Sequence, residues 1–397
     1  MKILYFNYLN DLYGYSIGST IKAKKLLSNL ENLGHSIHYY WRFENTPEKK
    51  KNKNNNKTGY QFVRNIFFAP KQIIYNFREG INELKYLRKI KPDLVIIRLD
   101  AFRISAALLA KLLKLPALVE ADGAMSYEWL NFQNNIKLYK SWLILIERIC
   151  LEWSSYIFVQ SNVTESYYIN LYPSIKHKIT VITNAADPQS VSRNDHTQIR
   201  QEMHIPENGV VCGFLGSLHF WHGTDTLFYI INQLVPANPN LYFVFIGSGG
   251  IFADKVQQSC AGYSWSDRVI FIRYVDHEKI PSYLNIIDIA IAPYPNKYLF
   301  YYSPMKIFEY MAAAKAVLTT PVGQIKELII DGQNGLFFNP DELTDLSDKL
   351  QLLIDSPELR KLLGENASAM INKGYTWKEK ASQLEALCTS AMNNRFF

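Results

Sequence analysis

The sequence predicts an α/β protein made of two domains, each with a parallel sheet. Its 397 residues, 48% of them hydrophobic, are enough for two cores of ordinary domain size. Buried-strand patterns alternate with helical patterns along most of the chain, as in parallel sheets covered by helices. A strand, a glycine-containing loop and a helix also open each half, at residues 1–34 and again at 209–234.

The first domain opens with the apolar run MKILYFNYL, which predicts a strand. A loop containing Gly14 and Gly18 follows, and leucines at helical spacing then predict a helix that ends at Gly34. The run HSIHYYW predicts a second, parallel strand. We expect Gly18 to let the backbone approach a ligand at the carboxyl end of the first strand.

Two further buried strands, PDLVIIRL and LPALVEADG, are each preceded by a helical pattern, at 71–91 and 104–114. The second strand ends in Glu120 and Asp122. Ligands of parallel sheets lie at the carboxyl ends of strands, so both carboxylates are candidate catalytic residues. The alternative is that they are solvated residues of a turn.

The segment from Trp129 to Trp153 resembles a basic amphipathic helix, with Lys137, Lys140 and Arg148 among apolar residues. Such a helix can lie on a membrane or pack in a core, and we favour the core. The runs SSYIFVQS and KITVITNAAD predict two more strands, and the polar run DPQSVSRNDHTQ is the predicted linker.

The second domain repeats the pattern from GVVCGFLGSL, where Gly216 and Ser217 form a turn before a helix. The runs LYFVFIGSGG, RVIFIRYV, IAIAPYP and KAVLTTP predict further strands, and residues 341–373 are helical in pattern. Arg273 stands at the end of one strand. It is a candidate phosphate contact or, alternatively, a surface arginine.

The stretch 301–329 organises the prediction of a binding site. Ser303 is a natural N-cap and Pro304 a favoured first helical residue, which leaves the N–H groups of Met305 and Lys306 without intrahelical partners. Such a helix start binds anions. Glu309, one turn later, could accept two hydrogen bonds from a ribose diol, or it could simply face solvent.

The run SPMKIFEYMAAAKAV resembles the donor-binding segment of the retaining glycosyltransferases of family 4. That family has the GT-B fold, in which two Rossmann-like domains face each other across an interdomain cleft. The resemblance implies that the helix start holds a diphosphate and that Glu309 holds the ribose. Tyr301 stands where many members have a further glutamate that contacts the sugar.

The family usually carries an arginine and a lysine that neutralise the diphosphate, and Ser217 and His222 stand in their places here. Lys306, the helix dipole and Arg273 are the candidate replacements, and His222 could contribute only if protonated. Asp122 takes the place of a histidine that lies near the reacting carbon of the sugar in the wider family, and we expect it to face the sugar across the cleft.

The resemblance implies a first domain at 1–187, joined by the helix 376–397, that binds the acceptor, and a second domain at 188–375 that binds the donor. The implied reaction moves a sugar from a nucleotide-diphosphate sugar to a glycan or lipid-linked acceptor, with retention and without a metal or other cofactor. The predicted catalytic residues are Asp122 and Glu120, and the predicted donor-binding residues are Gly18, Gly216, Ser217, His222, Arg273, Tyr301, Ser303, Pro304, Met305, Lys306 and Glu309.

Two alternatives stay open: a catalytically silent protein that binds sugar nucleotides or glycans, and a GT-B enzyme of other chemistry. The commonest setting of the family is the synthesis of cell-surface polysaccharides or lipid-linked glycans.

Charge is unevenly placed, with 26 Lys and Arg against 15 Asp and Glu in residues 1–190. Such asymmetry is typical of proteins that bind nucleic acid, an anionic membrane or an anionic substrate. We find no nucleic-acid motif, and the run Lys49–Lys57 is predicted to be a solvated loop, with membrane contact as the alternative. Without a signal peptide or membrane-spanning run, we expect a cytoplasmic protein whose four cysteines are buried thiols.

Overall fold

A computed structural model of the chain describes residues 1–11, 17–43, 68–132, 139–188, 193–247, 251–273, 275–296 and 299–393. The chain forms two compact units, one made of Met1–Thr183 with Trp377–Phe397 and the other of Asn184–Thr376. Gly14, Lys49–Lys57, Lys137 and residues 189–192 of the predicted linker lie outside the described residues.

The first unit is built on a six-stranded parallel sheet. Its strands are β1 (Lys2–Asp11), β2 (Ser36–Phe43), β3 (Leu94–Arg98), β4 (Ala117–Ala121), β5 (Tyr156–Val159) and β6 (Ile179–Val181). They lie in the order β2-β1-β3-β4-β5-β6, and each neighbouring pair is parallel. Every residue of β3 and β4 is buried, as expected for central strands of a parallel sheet, and their continuous apolar runs follow from this.

In the described part of the first unit, the helices that connect these strands are α1 (Ile17–Asn32), α2 (Phe68–Ile90), α3 (Ser105–Leu112), α4 (Met125–Phe132), α5 (Lys140–Trp153) and α6 (Asn162–Leu171). The segment from Trp129 to Trp153 thus contributes to two helices. In α5, Leu143, Ile146 and Cys150 are buried in the core of the unit, which agrees with the core-packing interpretation.

The second unit repeats the architecture. Its strands are β7 (Val210–Leu215), β8 (Leu241–Ile246), β9 (Val269–Ile272), β10 (Ile289–Ala292), β11 (Ala316–Thr319) and β12 (Leu336–Phe337). They lie in the order β12-β11-β10-β7-β8-β9, again with parallel pairing. The carboxyl ends of β7, β9 and β10 therefore lie at one edge of the sheet.

The helices of the second unit are α7 (Arg193–Glu202), α8 (Thr224–Tyr229), α9 (Val235–Ala237), α10 (Ile251–Cys260), α11 (Ile280–Asn285), α12 (Met305–Ala312), α13 (Ile325–Leu328), α14 (Leu343–Asp355) and α15 (Pro357–Gly374). One hydrophobic cluster includes Phe308 and Met311 of α12, and a second includes Phe243 and Phe245 of β8. The two clusters cover the sheet, and the first of them fixes α12 against it.

A further helix, α16 (Trp377–Asn393), packs against α1 and so belongs to the first unit. His35, in the turn after α1, contacts Glu385 of α16 through Nε2 at 2.8 Å. The predicted fold class, two Rossmann-like domains with parallel sheets, is confirmed. The four cysteines are buried and unpaired, as predicted. Among the described helices, we find none with the length and apolar character needed to cross a membrane.

Candidate functional site

The start of α12 differs by one residue from the prediction. The helix begins at Met305, and Pro304 is its N-cap, with an extended backbone at φ −76° and ψ 103°. Ser303 does not cap the helix, because its hydroxyl accepts a hydrogen bond from the N–H of Asn184 at 3.0 Å. The Ser303 carbonyl accepts a second one from Asn184 Nδ2 at 2.6 Å. Ser303 therefore anchors the loop before the helix.

Two backbone N–H groups are available at this helix start. The N–H of Ile307 donates to the carbonyl of Pro304 at 3.0 Å. Among the described residues, no acceptor faces the N–H groups of Met305 and Lys306, so the prediction that these groups lack intrahelical partners holds. Both point along the axis toward the positive end of the helix dipole, where an anion is stabilised.

Lys306 is the charged side chain closest to this helix start. Its side chain is only 9% exposed, and its ammonium has no hydrogen-bond partner among the described residues. Nζ lies 4.0 Å from the ring centroid of Phe214 and 5.6 Å from that of Tyr294. Burial lowers the pKa of Lys306 to about 7, although the Glu309 carboxylate acts in the opposite direction. The structure thus holds a buried amino group to which no anion is hydrogen-bonded within the described part of the chain.

Gly216 borders the same ammonium. It follows β7 with a φ of +109°, a conformation that favours glycine. A Cβ at this position would lie 3.6 Å from Lys306 Nζ and would narrow the space beside it. Ser217 is exposed, and its carbonyl accepts a hydrogen bond from His222 Nδ1 at 2.7 Å.

His222 does not carry the positive charge that it would need to help neutralise a diphosphate. Burial, together with the neighbouring Lys306 ammonium, lowers the pKa of His222 to about 2. The ring is therefore neutral at physiological pH. Because Nδ1 donates to the Ser217 carbonyl, Nε2 carries the lone pair and can only accept a hydrogen bond. Its ring packs edge-on against Tyr294, with 5.8 Å between centroids.

Glu309 is partly buried and has a partner that no pattern in the sequence indicates. Its side chain is 14% exposed, and Oε1 lies 3.2 Å from Nε2 of His277. His277 begins the 3₁₀ turn His277–Lys279 after β9, so it reaches Glu309 from the carboxyl edge of the sheet. Glu309 is therefore partly exposed and held by His277, and its contact with a ribose stays a prediction.

Tyr301 and Arg273 occupy different surroundings. Tyr301 is 3% exposed, and its hydroxyl donates to that of Tyr302 at 2.8 Å. Arg273 is exposed and contacts Asp254 Oδ1 at 2.8 Å and Gln257 Oε1 at 3.0 Å. These contacts match the surface-arginine alternative, and a role of Arg273 toward a phosphate stays a prediction.

In the first unit, the two predicted carboxylates belong to a buried charge cluster. Glu120 accepts a hydrogen bond from the Tyr5 hydroxyl at 2.6 Å and pairs with Lys22 Nζ at 2.9 Å. Asp122 pairs with Lys22 and with Arg98. The Asp122 side chain is 15% exposed, whereas those of Lys22, Arg98 and Glu120 are at most 5% exposed. Asp122 is thus the part of the cluster that solvent reaches.

The electrostatics of this cluster are balanced. Burial alone would raise the pKa of Asp122, but Arg98 and Lys22 outweigh it and hold that pKa below its ordinary value. Two cations and two carboxylates leave the cluster with no net charge. Asp122 is therefore ionised, and it cannot serve as a proton donor near neutral pH.

The prediction that Gly18 lies in a loop is wrong. Gly18 belongs to the first turn of α1, which begins at Ile17. The residue is exposed. Lys22 lies one helical turn further on, so the start of α1 brings a cation to the carboxylates at the carboxyl end of β4. The sequence offered a weak signal for this cluster, because Lys22 and Arg98 interrupt otherwise apolar patterns.

Two family models match the chain. One, described as Glycosyltransferase Family 4, matches residues 18–190, and the other, described as Glycosyl transferases group 1, matches residues 195–370. An uncharacterized glycosyltransferase of Methanocaldococcus jannaschii is 21% identical over 312 residues, or 77% of each chain.

Solved structures of the same architecture include sucrose-phosphate synthase from Thermosynechococcus elongatus, with a TM-score of 0.74, 16% identity and coverage of 99% of both chains. Another is HepE of Anabaena in complex with UDP, with a TM-score of 0.70 and 16% identity over 98% of this chain and 100% of HepE. At such identities these two structures establish the fold alone.

Proposed function

The chain belongs to the glycosyl transferases of group 1, and on this basis we propose that it moves a sugar, with retention of configuration, from a nucleotide-diphosphate sugar to a glycan or lipid-linked acceptor. The second unit binds the donor and the first binds the acceptor. The product enters a cell-surface polysaccharide or glycoconjugate. Binding of UDP by the structurally similar HepE supports a uridine nucleotide as the first donor to test.

The buried ammonium of Lys306 is the observation that carries this proposal. An unpaired cation in a buried position is costly, and the cost is removed when an anion binds. The available N–H groups of Met305 and Lys306 lie at the same helix start. A diphosphate provides several acceptor oxygens and about two negative charges, so it satisfies the ammonium and the N–H groups together.

Glu309 supports a nucleotide more than a simple phosphate. Its carboxylate lies one helical turn beyond the helix start and retains acceptor capacity beside the contact with His277. A ribose diol attached to the bound diphosphate would donate to it. His277 acts as a positioning residue, because its ring fixes one carboxylate oxygen and leaves the other for the diol.

The chemistry that follows depends on the leaving group. As the bond from the sugar to the diphosphate breaks, negative charge develops on the diphosphate, and Lys306 with the helix dipole stabilises it. The departing diphosphate helps to accept the proton of the acceptor hydroxyl on the same face, which accounts for retention. Since Lys306 supplies the positive charge, we propose that transfer needs no divalent metal.

Asp122 has a narrower role in this proposal than a free carboxylate would have. The charge-balanced cluster weakens its field at the reacting sugar, so electrostatic stabilisation of a cationic ring would be small. Its exposed edge can still accept hydrogen bonds from sugar hydroxyls. We therefore propose that Asp122 orients a substrate, held in place by Lys22 and Arg98, while Glu120 acts only through the cluster.

The second candidate is a silent protein that binds sugar nucleotides. Tyr301 favours it, because the buried hydroxyl is already bonded to Tyr302 at a place where related enzymes contact the sugar. Screening a panel of nucleotide sugars for hydrolysis and for transfer to acceptors, with and without EDTA, separates the two. Turnover that persists in EDTA, with retained anomeric configuration by NMR, supports the proposal. Binding without turnover across the panel supports the silent protein, and loss of turnover in EDTA contradicts metal independence.

A further inference from the structure

Helix α2 of the first unit carries an exposed apolar stripe made of Ile73, Ile74, Phe77 and Ile81. These residues are exposed by 61%, 65%, 74% and 44%. Successive members are one, three and four positions apart, so they lie on one side of the helix. Scattered apolar residues are common on protein surfaces, but a contiguous stripe of large ones marks a site of interaction.

All charged side chains on the exposed side of α2 are basic. The exposed basic residues of the helix are Lys71, Arg78, Lys85, Arg88 and Lys89. The sequence of α2 contains only two acidic residues, Glu79 and Glu83, and both are buried. The exposed side therefore combines an apolar centre with a purely positive border.

The buried side of α2 fixes this orientation. Glu83 accepts hydrogen bonds from the Tyr8 hydroxyl at 2.6 Å and from Ser105 Oγ at 2.8 Å. Glu79 accepts one from the Tyr40 hydroxyl at 3.0 Å. These bonds hold α2 against β1, β2 and the start of α3, so the helix cannot turn its apolar stripe inward without breaking them.

We propose that the exposed side of α2 docks on a bilayer that contains anionic lipids. The apolar stripe enters the boundary between headgroups and acyl chains, and the basic border binds the headgroups, as in amphipathic helices that lie in the plane of a membrane. The neighbouring helix α3 also exposes an apolar side chain, Leu112, by 68%, next to the exposed Lys111.

Other occupants fit this surface less well. A nucleic acid would use the positive border, but an aliphatic stripe at the centre offers it neither hydrogen bonds nor stacking. A second copy would bring two positive borders together. Residues 44–67 of the chain, with five Lys and one Arg against two Glu, would meet the same repulsion.

The proposal is tested by sedimentation of the full chain with vesicles of phosphatidylcholine, with and without phosphatidylglycerol. We expect binding only to the vesicles with phosphatidylglycerol, and weaker binding at high salt. The paired substitution Ile73→Ser and Phe77→Ser should weaken binding by about tenfold or more. The matched control is Leu352→Ser with Leu362→Ser, at residues exposed by 44% and 53% in the second unit, and it should bind as the wild type does.

A second pair, Lys85→Gln with Arg88→Gln, should weaken binding to the anionic vesicles and reduce its salt dependence. Because all four substituted positions are exposed, melting temperatures should not change.

The proposal is overturned if the wild-type chain does not bind anionic vesicles, or if the Ser pair binds them as tightly as the wild type does. Duplex DNA binding that is lost with the Gln pair but not the Ser pair, without vesicle binding, would identify a nucleic-acid surface instead. If the wild type dimerises and the Ser pair abolishes this, the occupant is a second copy. If vesicle binding appears only after residues 44–67 are replaced by a Gly-Ser linker, that segment is the occupant.

Discussion

Binding of the donor should be accompanied by protonation of Lys306. In the free protein, burial lowers the pKa of this ammonium to about 7, so roughly one-tenth of the molecules carry the charge at pH 8. A diphosphate charge at about 4 Å is worth about 4 kcal/mol at an effective dielectric constant of 20, which raises the pKa by about three units. The bound form is then almost fully protonated at pH 8.

These values fix the size of the effect. Binding should take up about 0.9 proton at pH 8 and about 0.5 at pH 7. Since proton uptake makes affinity fall as pH rises, the affinity should decrease about fivefold from pH 7 to 8 and about eightfold from pH 8 to 9. A nucleotide sugar is the preferred ligand, because its diphosphate lacks the terminal phosphate group that titrates near pH 6.

Calorimetry in buffers with different heats of ionisation measures this uptake directly. Lys306→Met should abolish it and most of the affinity. Lys315→Met is the matched control, because Lys315 is another lysine of the second unit with a pKa lowered by burial, to about 8, and its Nζ donates to the Asn285 carbonyl. Uptake should survive in that variant. Uptake near zero in the wild type, or unchanged in Lys306→Met, would refute the assignment of Lys306 to the diphosphate.

The same substitution should stabilise the empty protein. Because the folded pKa of Lys306 lies below its ordinary value of 10.5, the unfolded state binds the proton more tightly, and folding pays a penalty that is full below pH 7 and fades toward pH 10.5. At pH 8, Lys306→Met should therefore raise the free energy of unfolding by roughly 2–4 kcal/mol, measured by chemical denaturation. Loss of stability would contradict the burial argument.

Substitutions at Glu309, Asp122 and His277 test the remaining groups. Glu309→Gln should weaken the binding of a ribonucleoside diphosphate by about 1.5–3 kcal/mol and the binding of its dideoxy analogue much less. Equal losses of binding free energy for the two ligands, measured by calorimetry, would exclude a diol contact. Asp122→Asn should destabilise the first unit by about 3–5 kcal/mol, because it leaves two buried cations with one carboxylate, and adding Lys22→Met should restore the melting temperature. If turnover returns together with stability, Asp122 is structural, and if stability returns alone, Asp122 orients a substrate. His277→Phe should weaken nucleotide binding by about two- to tenfold while His277→Gln retains most of it, and equal behaviour of the two variants would deny His277 its positioning role.

The strands, most helices and the importance of the α12 segment could be predicted from sequence, because they rest on local patterns. The errors at this segment have long-range causes. Ser303 has the chemistry of an N-cap, but Asn184, which lies 119 positions earlier, occupies its hydroxyl. Burial of Lys306 depends on Phe214 and Tyr294 at the ends of two other strands, and no pattern within the helix indicates it.

The charge cluster of the first unit also depends on contacts between distant residues, which the sequence does not indicate. The sequence indicated Glu120 and Asp122 by their place at a strand end, but not that they would be neutralised. Lys22 lies 100 positions before Asp122, and only the pairing of β3 with β4 brings Arg98 beside the same carboxylate. When strand pairing brings two distant residues together, the only sign in the local sequence is a charged residue inside an apolar run.

The membership of α16 in the first unit has a consequence for biosynthesis. Residues 184–376 form a continuous insertion, so the second unit can complete its fold while it emerges from the ribosome. The first unit cannot, because Trp377, Leu384 and Cys388 of α16 are buried components of it. Until residues 377–393 are synthesised, the surface of α1 that receives them stays uncovered. The first unit is thus the first to be synthesised and the last to complete its fold. Its uncovered α1 surface would be accessible to a chaperone throughout synthesis of the second unit.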